Sequence, residues 1–252
     1  MHGKYYTANV NIEELGNGET AFADADVLFN WTSFEIPKGA ACLKSIQIAM
    51  KGTDGADANK LDMELYFAKS INGVAPSAFG ALNGAATAAL AAACRRNVIG
   101  FKAIDASGRA DDEDLIGYNV WGSGTATIAD VAISELILEG DPSYGSTEGY
   151  QTIWIAGIAK GAFDFGTAVA LNQAGNQAVT TVPTQLTTDG TDPRIVFMKG
   201  DVVQAQDNAA IGTVVSVDSA TTMTVDAVAA ALTDDDTINW KYPLEFVLGF
   251  EY

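Results

Sequence analysis

The side chains that usually carry out acid–base or nucleophilic catalysis are scarce or scattered in this sequence. His2 is the only histidine and lies at a terminus, so a Ser-His-Asp or Cys-His arrangement lacks a positioned imidazole. Carboxylates are plentiful, but many fall in charged runs at 111–114 (DDED) and 234–236 (DDD). A glycosidase needs one carboxyl group whose pKa is raised by burial, whereas clustered loop acids are typical of a solvated surface. We therefore predict that the protein is not an enzyme.

One loop, TDGADANKLD, brings together oxygen ligands of the kind that calcium prefers. The four residues at short spacing are Asp54, Asp57, Asn59 and Asp62. The loop lacks the EF-hand order, because it has no glycine at the sixth position and no glutamate at the twelfth. Asp, Asn and Gly also mark turns, so a polar hairpin loop is the favoured interpretation and these residues are weak calcium candidates. Residues 80–84 (GALNG) match no phosphate-binding motif, and no cofactor is predicted.

The four tryptophans are the side chains best suited to stack on a sugar or on a partner surface. Trp154 lies in an apolar run and is predicted to be core, whereas Trp31 and Trp240 alternate with strand partners, as core or interface residues do. Trp121 lies in the glycine-rich stretch NVWGSG, which favours an exposed loop. Trp121 is therefore the candidate contact residue.

The charge balance excludes several kinds of partner. The chain has 32 acidic and 14 basic residues, for a net charge of −18. Phosphate binding needs clustered Lys and Arg, and the longest basic run is Arg95-Arg96, so neither nucleic acid nor a membrane is an expected partner. Because the sequence shows no secretory leader and no apolar run of about 18 residues, we expect folding in a cytoplasm. Cys42 and Cys94 lie among small or apolar residues, which predicts buried free thiols and leaves a disulfide open.

Alternation of apolar and polar residues with a period of two dominates the chain and predicts a mainly β protein. It is clearest over 61–67 and over 244–252. Residues 153–156 (IWIA) are apolar on both faces, which indicates a central strand. We predict a jelly-roll-like β-sandwich with extended loops over residues 1–177. We expect the strand at 244–252 to rejoin this sandwich, because its pattern ties the C-terminus into a sheet.

Residues 190–243 are predicted to form a second, smaller unit. Its strand-like runs are 195–197, 202–203, 211–217, 222–227 and 237–242. A tight turn at 218–221 (DSAT) joins two of them, and Gly200 and Gly212 fall where a small barrel needs a bend or a positive φ. This spacing is typical of an SH3-like barrel. Because a unit of this size has a thin core, we expect an insertion that leans on the sandwich.

Few segments lack β patterning. Residues 85–96 (AATAALAAACRR) have high helix propensity and predict one short helix in a connection. Residues 128–138 are ambiguous, and their β-branched side chains favour a strand. The stretch from 70 to 125 is rich in Gly, Ala, Ser and Asp, which indicates a long excursion between strands that contacts a partner or moves.

Two stretches carry a resemblance to a known class of protein. Residues 199–203 (KGDVV) and 211–227 (IGTVVSVDSATTMTVDA) resemble segments of virion structural proteins of tailed bacteriophages, especially those of marine and cyanobacterial hosts. Residues 34–40 (FEIPKGA), followed by 46–48 (IQI), are similar to the β-sandwich portion of capsid-decorating or fibre-type proteins. The resemblance includes no catalytic signature.

The resemblance implies a structural role in the head or a fibre of a virion assembled in the host cytoplasm. Within that set we favour a capsid decoration (cement) protein, because the chain is of modest length and has no heptads or fibrous repeats. The expected partners are the major capsid protein or other virion proteins, with a homotrimer as the natural state, since shell sites have local threefold symmetry. Residues 1–25 and 70–125 are the candidate contact arms.

Two other functions stay open at this point. A receptor- or glycan-binding fibre module predicts an exposed aromatic platform at Trp121. A polysaccharide-active enzyme on a β scaffold predicts two buried carboxylates in a cleft.

Overall fold

The computed structural model describes most of the chain. The described residues are 4–13, 20–51, 63–86, 92–104, 118–122, 136–144, 148–162, 165–167, 169–172, 176–207 and 209–252, with the backbone alone for 118–122. No helix within these ranges is long and apolar enough to cross a bilayer.

The protein is mainly β, with antiparallel sheets. The strands are β1 (Tyr5–Ile12), β2 (Val27–Pro37), β3 (Ala41–Met50), β4 (Met63–Ala68), β5 (Val98–Ile104), β6 (Tyr118–Gly122), β7 (Leu136–Leu138), β8 (Tyr150–Ala159), β9 (Val169–Leu171), β10 (Thr184–Gly190), β11 (Val202–Ala205), β12 (Ala210–Ser219), β13 (Thr222–Val225), β14 (Ile238–Trp240) and β15 (Leu244–Glu251). One short helix, α1 (Pro193–Val196), lies between β10 and β11.

The larger unit has the strand order of a jelly roll. One sheet runs β1-β15-β3-β6, with β7 also paired to β3, and the facing sheet runs β2-β8-β4-β5. With β6 and β7 counted as one interrupted strand, the eight strands lie in chain order 1-8-3-6 and 2-7-4-5. This is the double Greek-key arrangement of a jelly roll. The last strand, β15, pairs with β1 on one side and β3 on the other, so the C-terminus lies at the centre of a sheet.

Period-two sequences build this sandwich, because alternate side chains of each strand point between the sheets. In β15 every second residue is buried and the residues between them are half-buried. Phenylalanines bridge the two sheets, with ring centroids 5.6 Å apart for Phe29 and Phe246 and 6.2 Å apart for Phe34 and Phe250. The core between the sheets is therefore continuous along the length of β15.

The outer face of the β2-β8-β4-β5 sheet is covered rather than open to solvent. Phe79 and the buried Cys94 pack against Val27, Ala156 and Ile158 on that face. We call the described residues 70–86 and 92–97 the outer layer.

Several predictions about this region are wrong. Residues 5–12 form a paired strand rather than an arm, and residues 70–125 include β5, β6 and the packed outer layer rather than one loose excursion. Trp154 is half-buried on the outer face, where its Nε1 donates to Ser70 Oγ at 3.2 Å. Of the predicted helix at 85–96, the described residues are helical only over 92–94.

The smaller unit is a nearly closed six-stranded barrel in the order β14-β11-β12-β13-β10-β9. An isolated bridge between Ala170 and Thr237 joins β9 to the residue just before β14, which brings the two edge strands of the barrel sheet together. Because β8 precedes these strands and β15 follows them, the barrel is an insertion between the last two strands of the jelly roll.

The barrel starts earlier than the predicted boundary at residue 190, because β9 and β10 belong to it. Residues 195–197 are not a strand either. Asp192 accepts a hydrogen bond from the Arg194 amide at 2.9 Å and Pro193 occupies the first turn, so the segment opens as a capped helical turn.

Irregular pairing reshapes β12, for which the sequence predicts a regular alternation over 211–217. Ile211, Thr213, Val215 and Val217 are expected to share a face, yet Ile211 and Val214 are buried and Val215 is exposed. The register shifts between Val203 and Gln204 and again between Val214 and Ser216, and each bulge moves the following side chains to the other face.

Both glycines singled out in the barrel sequence have a structural role. Gly200 has a φ of +99°, in the region that favours glycine. At Gly212, a Cβ atom would lie 2.6 Å from the Ala227 carbonyl oxygen, so a close backbone approach requires glycine there.

Candidate functional site at the junction of the two units

The site begins with two irregularities in β2. Along β2 the partners run from Val27 to Thr32, five steps, while on β8 they run only from Ile158 to Ile155, three steps. Two extra residues are therefore accommodated in this half of β2, which bends the strand and re-aims its side chains. The residues affected include Asn30 and Trp31, which are both half-buried.

Asn30 and Trp31 fix the outer layer beside the strand. The Asn30 side chain accepts a hydrogen bond from the Phe79 amide at 2.8 Å and donates to the Gly80 carbonyl at 2.8 Å. Trp31 Nε1 donates to the Ser77 carbonyl at 2.8 Å, and its ring meets Phe79 edge-on at 5.3 Å. These contacts hold the Trp31 ring in one orientation, and part of the ring stays exposed.

A groove of about 540 Å³ opens beside Trp31. Its walls are the end of β1, the irregular part of β2, one outer-layer residue and the segment between the barrel and β15. The lining residues are Asn11, Ile12, Glu13, Phe29, Asn30, Trp31, Thr32, Leu82 and Tyr242. The groove thus combines aromatic and aliphatic surface with amide, hydroxyl and carboxylate groups. Such a mixture is typical of small-molecule sites.

An ion pair fixes the part of the groove wall that Glu13 and Tyr242 form. Lys241 Nζ lies 3.2 Å from Glu13 Oε1 and 5.6 Å from the centre of the Tyr242 ring. The hydrogen bond to Glu13 raises the pKa of Lys241, so the lysine stays charged and balances the carboxylate. Glu13 is the single charged residue that lines the described groove.

A second cluster, which we call the clamp, holds the barrel against the jelly roll. Asp201 is 6% exposed, and its Oδ1 lies 3.1 Å from Lys51 Nζ at the end of β3. Asp201 Oδ2 accepts from Trp240 Nε1 at 3.2 Å and from the Met198 amide at 3.0 Å. Lys51 also reaches Glu245 Oε1 at 3.3 Å. One carboxylate therefore ties together the jelly roll, the barrel core and the turn after α1.

The residues predicted from sequence lie elsewhere. Trp121 lies in β6 opposite Ile46, not in a loop, and its side chain is outside the described part. The weak calcium candidates Asp54, Asp57, Asn59 and Asp62 and the terminal His2 also lie outside the described residues.

Within the described ranges, no three His, Cys, Asp or Glu side chains are placed to hold a metal ion. Neither cysteine forms a disulfide, and burial raises the pKa of the Cys94 thiol.

Sequence reasoning missed the groove because its residues come from four separate segments. One local signal was present: in LFNWTSFEI the clean alternation fails at Asn30 and Trp31, and a break of this kind marks a bulge. No protein-family model matches this chain, and no curated protein sequence or solved structure matches it significantly.

Proposed function

We propose that this chain is a virion structural protein of a tailed bacteriophage, and that it decorates and stabilises the outer capsid shell without catalysing a reaction. The resemblance of residues 199–203 and 211–227 to such proteins supports this role. Residues 199–203 span the turn after α1 and the start of β11, and residues 211–227 include the β12–β13 hairpin at the centre of the barrel sheet. The partner is the major capsid protein, and the protein acts as a trimer at local threefold positions of the shell.

The observation that carries the proposal is the apolar surface of the barrel. Ile195 on α1 is 73% exposed and Met198 in the next turn is 58% exposed. Helix α1 packs beside β12, which carries the exposed Val215. Because solvent-facing apolar groups that cluster often mark contact surfaces, we assign the shell contact to this side of the barrel.

Two further features of the molecule support this contact. The clamp fixes the turn that carries Met198, because the Met198 amide donates a hydrogen bond to the Asp201 carboxylate, so little order needs to be gained on binding. A net charge of −18 is tolerated on the outside of a shell, away from the packaged DNA.

The test is binding of the purified protein to capsids that lack it, measured by co-sedimentation. We expect the wild-type protein to bind and the Ile195→Glu, Met198→Glu double variant to lose at least tenfold in affinity, because charges would be desolvated at the contact. The matched control is Val74→Glu, an exposed valine of the outer layer, which should bind as the wild type does. Failure of the wild-type protein to bind capsids would overturn the proposal.

A further inference from the structure

We propose that the groove between β1 and β2 binds an uncharged saccharide of one or two rings. This inference does not depend on attachment to a shell, because the groove lies at Trp31 and Tyr242 whereas the proposed shell contact lies at α1. It replaces Trp121, the sequence candidate for sugar contact, with residues whose surroundings are described.

Aromatic surface and hydroxyl-binding groups occur together in this groove. A sugar ring has a C–H face that packs on aromatic side chains and hydroxyl groups around its rim that need hydrogen-bond partners. Trp31 and Tyr242 supply the aromatic surface. Asn11, Glu13 and Thr32 supply amide, carboxylate and hydroxyl groups along the same groove, and groups of this kind fix the orientation of a bound ligand.

The groove is already shaped for a ligand. The polar atoms of Trp31 and Asn30 bond to outer-layer backbone, so these side chains need not reorder when a ligand binds. Preorganisation of this kind lowers the entropy cost of association. The free volume of about 540 Å³ falls in the range of about 300–1,000 Å³ that is usual for small-molecule sites, which suits a short saccharide rather than a polymer.

The charges at the groove favour an uncharged ligand over an acidic one. The Glu13 carboxylate in the groove is balanced by Lys241 at 3.2 Å, so the cation beside the groove is already paired. An acidic sugar would meet the Glu13 carboxylate in a protein of net charge −18. The hydroxyl groups of a neutral sugar, by contrast, donate to Glu13 and Asn11 without displacing Lys241.

The experiment screens the full-length protein against neutral mono- and disaccharides of glucose, galactose, mannose and N-acetylglucosamine, with sialyllactose as the acidic comparison. Hits are titrated by NMR or calorimetry. We expect millimolar or tighter binding of at least one neutral sugar and weaker binding of sialyllactose. Tyr242→Ala should weaken binding about tenfold, the loss of about 1.4 kcal/mol, and Asn11→Ala should weaken it several-fold.

Two controls keep the proposal falsifiable. Tyr144→Ala removes a half-buried tyrosine that packs against Trp154 and does not line the groove, and it should leave sugar affinity unchanged. Tyr242→Ala should still bind capsids, which separates this site from the shell contact. The proposal is overturned if no neutral sugar binds at millimolar concentration, if sialyllactose binds more tightly, or if Tyr242→Ala and Asn11→Ala bind as the wild type does.

Discussion

The jelly roll closes its core by packing two sheets face to face, whereas the barrel closes its core by wrapping one sheet around itself. Phenylalanine pairs bridge the jelly-roll sheets, and strands distant in sequence, such as β1 and β15, lie side by side. Among the described residues the barrel interior is mostly aliphatic, and the rings of Phe197 and Trp240 pack there with centroids 5.3 Å apart. Trp240 in turn bonds to the clamp residue Asp201.

This difference indicates a division of roles. Within the described residues, no barrel strand contributes a side chain to the large jelly-roll core, so we expect the jelly roll to stay folded when the barrel is perturbed. The barrel has a smaller core. Its Trp240 donates a hydrogen bond to the Asp201 carboxylate, which also pairs with Lys51 of the jelly roll. Because small cores are only marginally stable, the barrel should lose structure before the jelly roll does when the pair between Asp201 and Lys51 is removed.

The largest expected effect is at the centre of the jelly roll. Phe246 is fully buried on β15 and packs across the sheets against Phe29. Phe246→Ala should lower the free energy of unfolding by about 3–5 kcal/mol, the usual cost of emptying such a site. Denaturant unfolding measures this loss. Phe101→Ala, at a position that is 59% exposed, is the control and should cost far less.

Truncating a core residue of the barrel should destabilise the barrel and leave the jelly roll folded. Met223 is fully buried in the barrel core, and Met223→Ala should cost about 2–5 kcal/mol. Hydrogen exchange should show lost protection in β10 to β13 while β3 and β15 stay protected. Equal loss of protection in both units would contradict the division of roles.

The next effect concerns the clamp. Asp201→Ala removes the acceptor of Trp240 Nε1 and of the Met198 amide, and it breaks the pair with Lys51. Hydrogen bonds to a charged group contribute about 1.5–3 kcal/mol, so a loss of about 2–3 kcal/mol is expected, with exchange rising mainly in the barrel.

The matched control for the clamp is Glu251→Gln. It breaks a surface pair with Lys44 at 3.2 Å, and such pairs contribute about 0–1 kcal/mol. If Asp201→Ala were no more destabilising than Glu251→Gln, the clamp would not hold the barrel.

The smallest effect is a pH dependence confined to the jelly roll. Hydrogen bonds from the Gly73 amide and from Ser143 lower the pKa of Asp141 below 3.8. A carboxyl group with a lowered folded-state pKa adds stability that is complete above the unfolded pKa and is lost as the pH falls through the folded pKa. Asp141→Asn should therefore be less stable than the wild type at neutral pH, and the difference should narrow below pH 3.8.

Unfolding of both proteins between neutral and acidic pH measures this difference. A difference that stays constant across that range would show that the charge of Asp141 contributes nothing to stability.

The sequence predicts those parts of the fold in which one face of a strand is buried. Residues 244–252 alternate without a break, and β15 follows that alternation. The sequence does not predict strand β10, because its buried positions are Leu186 and the polar Thr188. The alternation of apolar and polar residues is therefore weak in this strand. The boundary that the sequence predicts, residue 190, is therefore later than the start of the barrel at β9.

Other features depend on contacts that no local pattern encodes. The bulges of β12 arise from its pairing with β11 and β13, so its true inward face differs from the regular one. The groove needs β1, β2, the outer layer and Tyr242 together. By contrast, Asp192 followed by Pro193 is a sequence pattern typical of a helix start. The apolar residues 195–197 that follow favour a strand instead, which is why the sequence alone predicts the wrong element there.

Electron microscopy of the native particle tests the central claim, that the jelly roll mounts a barrel whose apolar side contacts a shell. We predict density for this chain on the outer capsid surface at local threefold positions, with the α1 side of the barrel facing the shell. Density at the tail alone, or a shell contact made by the opposite end of the jelly roll, would contradict the account.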